Sequence, residues 1–189
     1  MPIVLGLDSS TQSLSAVILD TVSGKILAED SVNFGKDLPQ YGQPSGYDQN
    51  GKRGEVHANP LMWVEAVDLL LVRMRANGVD FSEISAVSGS GQQHGSVYLK
   101  PCFGDKLSSL DDSTTIKEQI SGCLTRQSSP IWMDSSTAEE CTEIAHAVGG
   151  NEVVCAKSGS IAVERFTGSQ IRKFFKTDPD AYKATGVIH

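Results

Sequence analysis

Three strand-like runs, separated by turns too short to hold a helix, occupy the first 32 residues of the chain. The run Ile3–Leu7 is apolar on both faces, which is typical of a strand buried between two layers. The runs Leu14–Asp20 and Lys25–Val32 come next, each after a short polar turn. Parallel neighbours need a crossover of roughly a dozen residues or more, so these short connections predict an antiparallel meander.

The first run leads into the polar turn Asp8–Ser13, which holds hydroxyl groups, successive backbone N–H groups and one carboxylate. Such a concave turn suits phosphate oxygens, and the Asp8 carboxylate is placed to hold a hydrated Mg²⁺ ion. In the alternative interpretation the turn is a solvated hairpin whose hydroxyls bond their own backbone. The residues of the turn leave both interpretations open.

Residues 35–59 form a polar stretch with five glycines and two prolines, and we expect a long loop that is a functional flap or locally mobile. A helix is predicted from Leu61 to about Ala76, with Asn59 as its cap and Pro60 as its first residue. We expect its apolar stripe to pack in the core, and the stripe consists of Trp63, Val67, Leu70, Leu71 and Met74.

A second polar stretch comes after the short predicted strand Ile84–Val87, and it interleaves glycines with small polar residues in a predicted turn. Glycine permits close approach of the backbone to a ligand. Gln92, Gln93 and His94 put neutral donors and acceptors at the end of this strand, as in a preformed pocket for a polyol. In the alternative interpretation this is a glycine-rich turn whose histidine is hydrogen-bonded into the core.

The rest of the chain is predicted to hold irregular segments and short helices. Residues 100–129 are polar and irregular, with a short amphipathic helix at about 116–124. The further predictions are a strand at 96–99, a buried strand at 130–134, a helix that Ser135, Ser136 and Thr137 cap and Gly149 ends, and helices at about 152–157, at 169–176 and from Asp178 onward.

Composition excludes some classes of partner. The formal net charge of −7 argues against a broad surface for nucleic acid or for an anionic membrane, so we expect neither partner. The four cysteines show no C-x-x-C pairing and no histidine at zinc spacing, and we expect them to be reduced in a cytoplasmic protein. No basic segment with an apolar core after it opens the sequence, so no signal peptide is expected.

The order of three antiparallel strands, a helix and a further strand matches the core of the ribonuclease H-like fold of actin, hexokinase and Hsp70. Five motifs carry a closer resemblance, and they are Gly6–Ser13, Leu61–Ala66, Gly91–Ser96, Pro130–Thr137 and Glu164–Gly168. In this order they resemble the FGGY family of carbohydrate kinases and, within it, the xylulokinases of eukaryotes. The resemblance implies an α/β fold, the N-terminal lobe of a ribonuclease H-like kinase, with a mixed sheet and flanking helices.

The resemblance assigns phosphate and metal contacts to the first polar turn. Asp8 would help to hold Mg²⁺, through water, near the transferred phosphoryl group. Ser10, Thr11 and Gln12 would contact phosphate with hydroxyl, amide and backbone groups. The cofactors implied are therefore ATP and Mg²⁺.

The resemblance also implies a sugar site. His94, with Gln93 beside it, would hydrogen-bond the sugar, and Arg165 would reach the sugar hydroxyls with its rigid fork. In the alternative interpretation Arg165 is a surface cation beside Glu164. Asp134 is interpreted as mainly structural, at the end of a strand that leads into a helix, and in the alternative interpretation it lines the sugar pocket.

The chain departs from the family pattern in its C-terminal part. The family's catalytic base, an aspartate in an Asp-x-Ala/Ser-Gly motif, does not occur among the 189 residues. The nucleotide-binding lobe is also missing, and Gly186–His189 fits the family pattern poorly. We therefore interpret residues 1–189 as a truncated, incomplete N-terminal domain of an ATP-dependent kinase that converts D-xylulose to D-xylulose 5-phosphate. The alternatives are an inactive fragment that at most binds sugar, and a kinase for another ketopentose or polyol.

Overall fold

The computed structural model describes residues 2–48, 51–52 and 54–189. Within this part of the chain the strands are β1 (Ile3–Ser9), β2 (Ser13–Asp20), β3 (Lys25–Asn33), β4 (His57–Ala58), β5 (Ile84–Gly91), β6 (Tyr98–Leu99), β7 (Ser129–Pro130) and β8 (Val187–Ile188). The helices are α1 (Phe34–Asp37), α2 (Pro60–Ala76), α3 (Phe103–Ser108), α4 (Ile116–Ile120), α5 (Ala138–Val148), α6 (Asn151–Ser158), α7 (Thr167–Thr177) and α8 (Pro179–Lys183). None of these helices has the length and apolar character needed to cross a membrane.

The fold divides into two compact units, and each is assembled from stretches that are separated in sequence. The first unit comprises Met1–Tyr47, Asn59–Gln92 and Ser109–Gly122. The second unit comprises Asp48–Ala58, Gln93–Ser108 and Cys123–His189. Asp8 therefore belongs to the first unit, whereas His94 and Arg165 belong to the second.

A four-stranded sheet in the order β3-β2-β1-β5 is the centre of the first unit. β1, β2 and β3 pair antiparallel through short turns, which confirms the predicted meander. β5 comes after the helix α2 and pairs parallel with β1, so the sheet is mixed, as the resemblance implied. This register sets Asp8 opposite Ser15 of β2 on one side and opposite Ser90 of β5 on the other.

One face of this sheet and the helix α2 form the core of the first unit. Leu14, Ala16 and Ile18 alternate along β2 and are at most 3% exposed, as expected for a strand with one covered face. Helix α2 begins where the sequence predicts, because the Asn59 side chain accepts a hydrogen bond from the Leu61 N–H at 2.9 Å.

The stripe of α2 that the sequence predicts to face the core is partly wrong. The buried residues of this helix are Pro60, Met62, Ala66, Leu70 and Met74. Trp63, Val67 and Leu71 of the predicted stripe are only half-buried. Because α2 is apolar over much of its circumference, helical spacing alone does not select the row of side chains that faces the sheet.

The strands β1 and β5, which lead to the candidate residues, are longer than the sequence pattern indicates. β1 continues through Asp8 to Ser9, and β5 continues through Gly89 and Ser90 to Gly91. The sequence places these residues in turns, and that prediction is wrong. The parallel pairing of β5 with β1 extends to the last residue of both strands, so their backbone groups find partners in spite of the low strand propensity of glycine.

Two small sheets and the helices α5 to α8 make up most of the second unit in the described residues. β4 pairs antiparallel with β7, and β6 pairs antiparallel with β8. The predicted end of α5 and the predicted start of α8 are confirmed. Gly149, in the left-handed conformation at a φ of 104°, ends α5, and the Asp178 carboxylate caps α8 by accepting a hydrogen bond from the Ala181 N–H at 3.1 Å.

The predicted strand at 130–134 is wrong except at its first residue. Pairing with β4 involves only Ser129–Pro130, and the chain then turns, with the Asp134 N–H donating to the Ile131 carbonyl at 2.9 Å. The run of apolar residues indicated a strand, but the buried Asp134 side chain fixes a turn here.

The two stretches predicted to be loops contain more structure than expected. Residues 35–59 include part of α1, a 3₁₀ turn at Pro39–Tyr41 and the strand β4. Gln49, Asn50 and Arg53 of the predicted flap lie outside the described residues. Residues 100–129 include α3, and the predicted amphipathic helix is divided into α4 and a 3₁₀ turn at Ser121–Cys123.

Candidate functional site

Asp8 lies one residue before the end of β1, with its carboxylate exposed at the carboxyl end of the strand. The Ser90 hydroxyl on the neighbouring strand β5 donates a hydrogen bond to its Oδ1 atom. This contact results from the sheet register, which pairs Asp8 with Ser90 directly. The carboxyl ends of parallel strands meet at one edge of a sheet, which is where open α/β sheets bind ligands.

A groove with a volume of about 330 Å³ opens beside Asp8 on the first unit. Small residues on three strands form this part of the sheet face. The groove is lined by Gly6, Leu7, Asp8, Ser15, Val17, Ser88, Gly89 and Ser90. A glycine or serine projects little above the pleated sheet, so a ligand can approach the backbone closely. The groove therefore combines one carboxylate with several hydroxyl groups.

The turn between β1 and β2 is fixed by hydrogen bonds of its own. The Ser10 N–H donates to the Ser13 carbonyl at 2.9 Å, and the Ser10 hydroxyl donates to the same oxygen at 3.1 Å. The Gln12 carbonyl accepts a hydrogen bond from the Phe34 N–H at 2.9 Å, while the Gln12 side chain is exposed. Ser10 therefore bonds the backbone of its own turn, as in the hairpin interpretation, whereas the exposed Gln12 amide remains available to a ligand.

Gly46 supports this turn from the adjoining loop. Its φ is +83°, and a Cβ atom built on it would lie 2.1 Å from the Thr11 carbonyl oxygen. Only glycine combines that backbone conformation with so close an approach. The loop therefore holds Thr11 and its neighbours in a defined position beside the end of β1.

The donor set of the first unit fits a hydrated Mg²⁺ ion better than a metal held entirely by protein. Among the described residues no group of three or more His, Cys, Asp or Glu side chains could hold a metal ion. Mg²⁺ keeps several waters and usually takes one or two carboxylates together with substrate phosphates. Asp8 offers one exposed carboxylate beside the Ser90 hydroxyl, which is sufficient for such a water-mediated contact.

In the second unit, Gln93 and His94 form a turn directly after the boundary between the units. Gln93 is exposed and His94 is half-buried. Within the described residues His94 is the one non-glycine residue with a positive φ, at 62°. Its ring packs on Phe166 with a distance of 5.0 Å between the ring centroids. The imidazole is thus held in one orientation by a strained backbone and an aromatic neighbour.

Arg165 stands at the rim of a groove in the second unit. This groove has a volume of about 310 Å³ and is lined by Trp132, Met133, Asp134, Ser135, Val163, Glu164 and Arg165. The Arg165 side chain is exposed, and the Trp132 side chain is 42% exposed. A groove lined by both an aromatic side chain and a guanidinium group offers an apolar surface and hydrogen-bond donors, which suits a neutral polyol.

The buried Asp134 carboxylate holds together the turn that carries Trp132. Its Oδ2 atom accepts a hydrogen bond from the Val56 N–H at 3.0 Å and lies 3.2 Å from His57 Nε2. Its Oδ1 atom accepts hydrogen bonds from the Ser136 hydroxyl at 2.6 Å and from Gln170 Nε2 at 2.8 Å. Burial acts to raise the pKa of Asp134, but the contact with His57 and the hydrogen bonds from Ser136 and Val56 outweigh it and hold the pKa well below its ordinary value.

The same network reaches the segment before Arg165. Gln170 Nε2 also donates to the Glu164 carbonyl at 3.1 Å, and the Thr137 hydroxyl donates to that oxygen at 2.5 Å. The sequence predicts that Thr137 caps α5 with its side chain, and this is wrong, since the hydroxyl is committed to Glu164. One side of the groove is therefore joined to the other through Asp134 and Gln170.

Three side chains near the candidate residues were missed by the sequence reasoning. They are Ser90 beside Asp8, Phe166 beside His94, and Trp132 in the groove with Arg165. Phe166 and Trp132 lie inside the motifs that carry the family resemblance, so their position in those motifs was the available signal. Ser90 gave no signal, because the prediction placed it in a turn and not on a strand.

Solved structures resemble this fold over nearly all of the chain. A xyloylose kinase from Brucella ovis gives a TM-score of 0.73 at 18% identity, covering 99% of this chain and 32% of that one. A xylulose kinase from Rhodospirillum rubrum gives 0.69 at 17% identity, covering 98% and 31%. A glycerol kinase from Plasmodium falciparum with ADP gives 0.66 at 16% identity, covering 100% and 32%. The fold is thus similar to that of solved carbohydrate kinases.

The sequence is similar to particular members of this class, the xylulose kinases. Xylulose kinase 2 of Arabidopsis thaliana is 47% identical over 96% of this chain, and xylulose kinase of Rattus norvegicus is 45% identical over 94%. Xylulose kinase of Schizosaccharomyces pombe is 42% identical over 96%. The resemblance inferred from the motifs is confirmed, although no family model matches the chain. The chain spans about a third of the length of these curated relatives.

Proposed function

We propose that this chain is the sugar-binding part of an ATP-dependent xylulokinase with a ribonuclease H-like fold, which converts D-xylulose to D-xylulose 5-phosphate. The observation that carries the proposal is the identity of 42–47% to xylulose kinases of a plant, a mammal and a yeast over at least 94% of this chain. The structures of two such kinases resemble the fold over at least 98% of this chain, and this similarity supports the proposal.

In the proposed mechanism the end of β1 serves the phosphoryl group. Asp8 would hold Mg²⁺ through water, and the ion would supply positive charge to offset the negative charge of the transferred phosphoryl group. Ser10, Thr11 and Gln12 contact phosphate oxygens, and the Ser10 hydroxyl exchanges its hydrogen bond to the Ser13 carbonyl for one to phosphate. The exposed carboxylate of Asp8 and the exposed amide of Gln12 support this assignment. Gly46 supports it as well, because it fixes the turn that carries these residues.

The second unit supplies contacts to the sugar in this mechanism. His94 and Gln93 exchange hydrogen bonds with its hydroxyl groups, and Arg165 donates to them from the rim of the groove that contains Trp132. The fixed orientation of the His94 ring against Phe166 supports this role, since a preformed donor or acceptor loses little entropy when it binds. Phosphorylation also needs a base for the attacking hydroxyl, and the family motif for that base does not occur in this sequence.

A chimera tests the proposal most directly. This chain would replace the matching third of the rat relative, to which it is 45% identical, and ADP formation would be measured with and without D-xylulose. We expect turnover that depends on xylulose, and a large loss of it in both Asp8→Ala and His94→Ala. Full activity in the two variants would exclude the site assignments. The isolated chain should bind sugar at most weakly and show no turnover, because it supplies no base.

A kinase for another ketopentose or polyol is the second candidate. The fold alone does not select xylulose, since a gluconate kinase from Lactobacillus acidophilus matches with a TM-score of 0.68 and the Plasmodium glycerol kinase with 0.66. A panel of sugars that differ in one hydroxyl, given to the same chimera, separates the candidates. A pocket that leaves a buried polar group unpaired rejects the wrong sugar strongly. A clear preference for another polyol would favour this second candidate.

A further inference from the structure

Two cysteines of the second unit lie with their sulfur atoms in contact. The Sγ atoms of Cys102 and Cys123 are 3.8 Å apart, and both side chains are free thiols in this structure. Cys102 comes after the strand β6, and Cys123 ends the 3₁₀ turn after α4. A disulfide needs a sulfur–sulfur distance of about 2.05 Å, so the two sulfur atoms must approach each other further to form one.

The backbone brings the two cysteines together. The Lys100 N–H donates to the Cys123 carbonyl at 2.8 Å, and the Thr125 N–H donates to the Tyr98 carbonyl at 3.0 Å. These bonds set residues 98–100 antiparallel to residues 123–125. Cys123 thus lies in the paired segment, and Cys102 lies in the turn two residues after it, so the pairing brings the backbones of the two cysteines close together.

The two thiols differ in their surroundings. Cys102 is exposed, whereas Cys123 is 3% exposed. Burial and the adjacent Cys102 thiol raise the pKa of the Cys123 thiol, while the positive charges of Lys106 and Lys100 act to lower it. A reagent in solution can therefore reach Cys102 first, and two lysines nearby attract a reagent that is anionic.

We propose that Cys102 and Cys123 are a reversible modification site that forms a disulfide by exchange with a small anionic disulfide of the glutathione class. The Cys102 thiolate attacks one sulfur of the reagent, its sulfur–sulfur bond breaks, and one glutathione thiolate leaves. The Cys123 thiolate then attacks the Cys102 sulfur and displaces the second glutathione thiolate. Two protein thiols are oxidised to one disulfide, one reagent disulfide is reduced to two thiols, and the two protons pass to the released thiolates.

The consequence of this exchange is a covalent loop through residues 103–122, which contains α3 and α4. Closing such a loop restricts the unfolded chain. It also joins the segment after β6 to the segment that begins at Cys123. The site is independent of the proposed sugar kinase activity, because it involves none of the candidate catalytic or binding residues.

The experiment uses the 189-residue chain in buffers with a series of ratios of reduced to oxidised glutathione. Samples are quenched with acid, alkylated and digested, and the peptides are identified by mass spectrometry. In oxidised buffer we expect the peptides of Cys102 and Cys123 to be joined in about tenfold excess over any other cysteine pairing, and in reduced buffer to separate again. Cys123→Ser should stop the exchange at glutathione bound to Cys102, and Cys102→Ser should leave Cys123 unmodified.

Two comparisons make the result decisive. Cys155→Ser removes an exposed cysteine on α6 that lies outside the pair, and it should leave the Cys102–Cys123 disulfide unchanged. The unfolded wild-type chain in urea should lose the preference and give mixed pairings. The proposal is overturned if the native wild-type chain gives the same mixture as the unfolded one. It is equally overturned if the native chain accumulates glutathione on Cys102 without forming the internal disulfide.

Discussion

At the scale of the residue, His94 has a backbone conformation that few non-glycine residues adopt. Its φ of 62° lies in the left-handed region, and its ring packs on Phe166 at 5.0 Å. Such strain persists only where the surroundings hold the residue, and it is concentrated at ligand sites. The sequence predicts His94 as a polar residue near a strand end. It gives no sign of the positive φ or of the contact with Phe166, which belongs to a distant segment.

His94→Asn tests the role of the imidazole without disturbing its backbone. Asparagine tolerates the left-handed conformation, so we expect the melting temperature to change little. Loss of the ring should raise the KM for D-xylulose about tenfold or more in the chimera with the rat relative. His146→Asn, at an exposed position of α5, is the control and should leave the KM unchanged. A His94→Asn chimera with the unaltered KM would contradict a sugar contact.

Asp134 should give the second unit a defined acid sensitivity. The pKa of Asp134 is lower in the fold than its ordinary value of 3.8. The ionised carboxylate therefore stabilises the fold fully above that value, and this contribution is lost as the pH falls toward the folded-state pKa. Asp134→Asn should lower the free energy of unfolding by about 3 kcal/mol at neutral pH. It should also flatten the loss of stability below about pH 4.

Urea unfolding from pH 7 to pH 3 measures both effects of the Asp134 substitution. Asp112→Asn, at an exposed position, is the control, and its stability should track that of the wild type across the whole range. If Asp134→Asn has the same acid dependence as the wild type, the carboxylate is not the group that titrates. In that case another acid is responsible for the acid sensitivity.

At the scale of the element, the sequence predicts a strand or helix well where local pattern and tertiary contacts agree. The meander of β1, β2 and β3 is predictable from alternating residues and short turns. Helix α2 begins at its predicted cap, but Met62 and Ala66 face the core in place of Trp63 and Val67. The predicted strand at 130–134 fails because Asp134 binds groups from distant segments. The motifs predict the candidate residues and also contain their neighbours Phe166 and Trp132, whereas the contact of Ser90 with Asp8 depends on packing.

The turn that carries the proposed phosphate contacts depends on Gly46. Gly46→Ala places a Cβ atom 2.1 Å from the Thr11 carbonyl oxygen and forces an alanine into a φ of +83°. We expect it to lower the free energy of unfolding by about 3 kcal/mol and to displace the turn between β1 and β2. Urea unfolding measures the loss, and amide chemical shifts of residues 10–12 report the displacement.

Gly24→Ala is the matched control for the substitution at Gly46. Gly24 has a similar φ of +70°, but a Cβ atom there would meet nothing within 4 Å. Gly24→Ala should therefore lower the free energy of unfolding by only about 1 kcal/mol, which is the cost of the left-handed backbone conformation for alanine. Equal losses at the two glycines would mean that backbone conformation, and not the close approach to Thr11, accounts for the effect.

At the scale of the whole molecule, the sheet of the first unit has one face that packs on α2 and an edge formed by the strand β5. β5 is at the end of the strand order, and nearly every residue along it is exposed. Its Val87 side chain is 63% exposed. An edge strand with unpaired backbone groups and an apolar side chain is a template for pairing with another chain. The sequence predicts this strand, but its exposure depends on which neighbours the sheet provides.

We expect the 189-residue chain to associate with itself through β5. Val87→Lys places a charge on the edge and should shift the light-scattering mass toward that of a monomer, because pairing at this edge would bury the ammonium group. Val72→Lys is the control, since Val72 is 65% exposed but lies on α2, away from the sheet edge, and it should leave the association unchanged. A wild-type chain that is monomeric at high concentration would contradict the prediction. Equal effects of the two lysines would assign the association to net charge, which both variants change by the same amount, and not to the edge of the sheet.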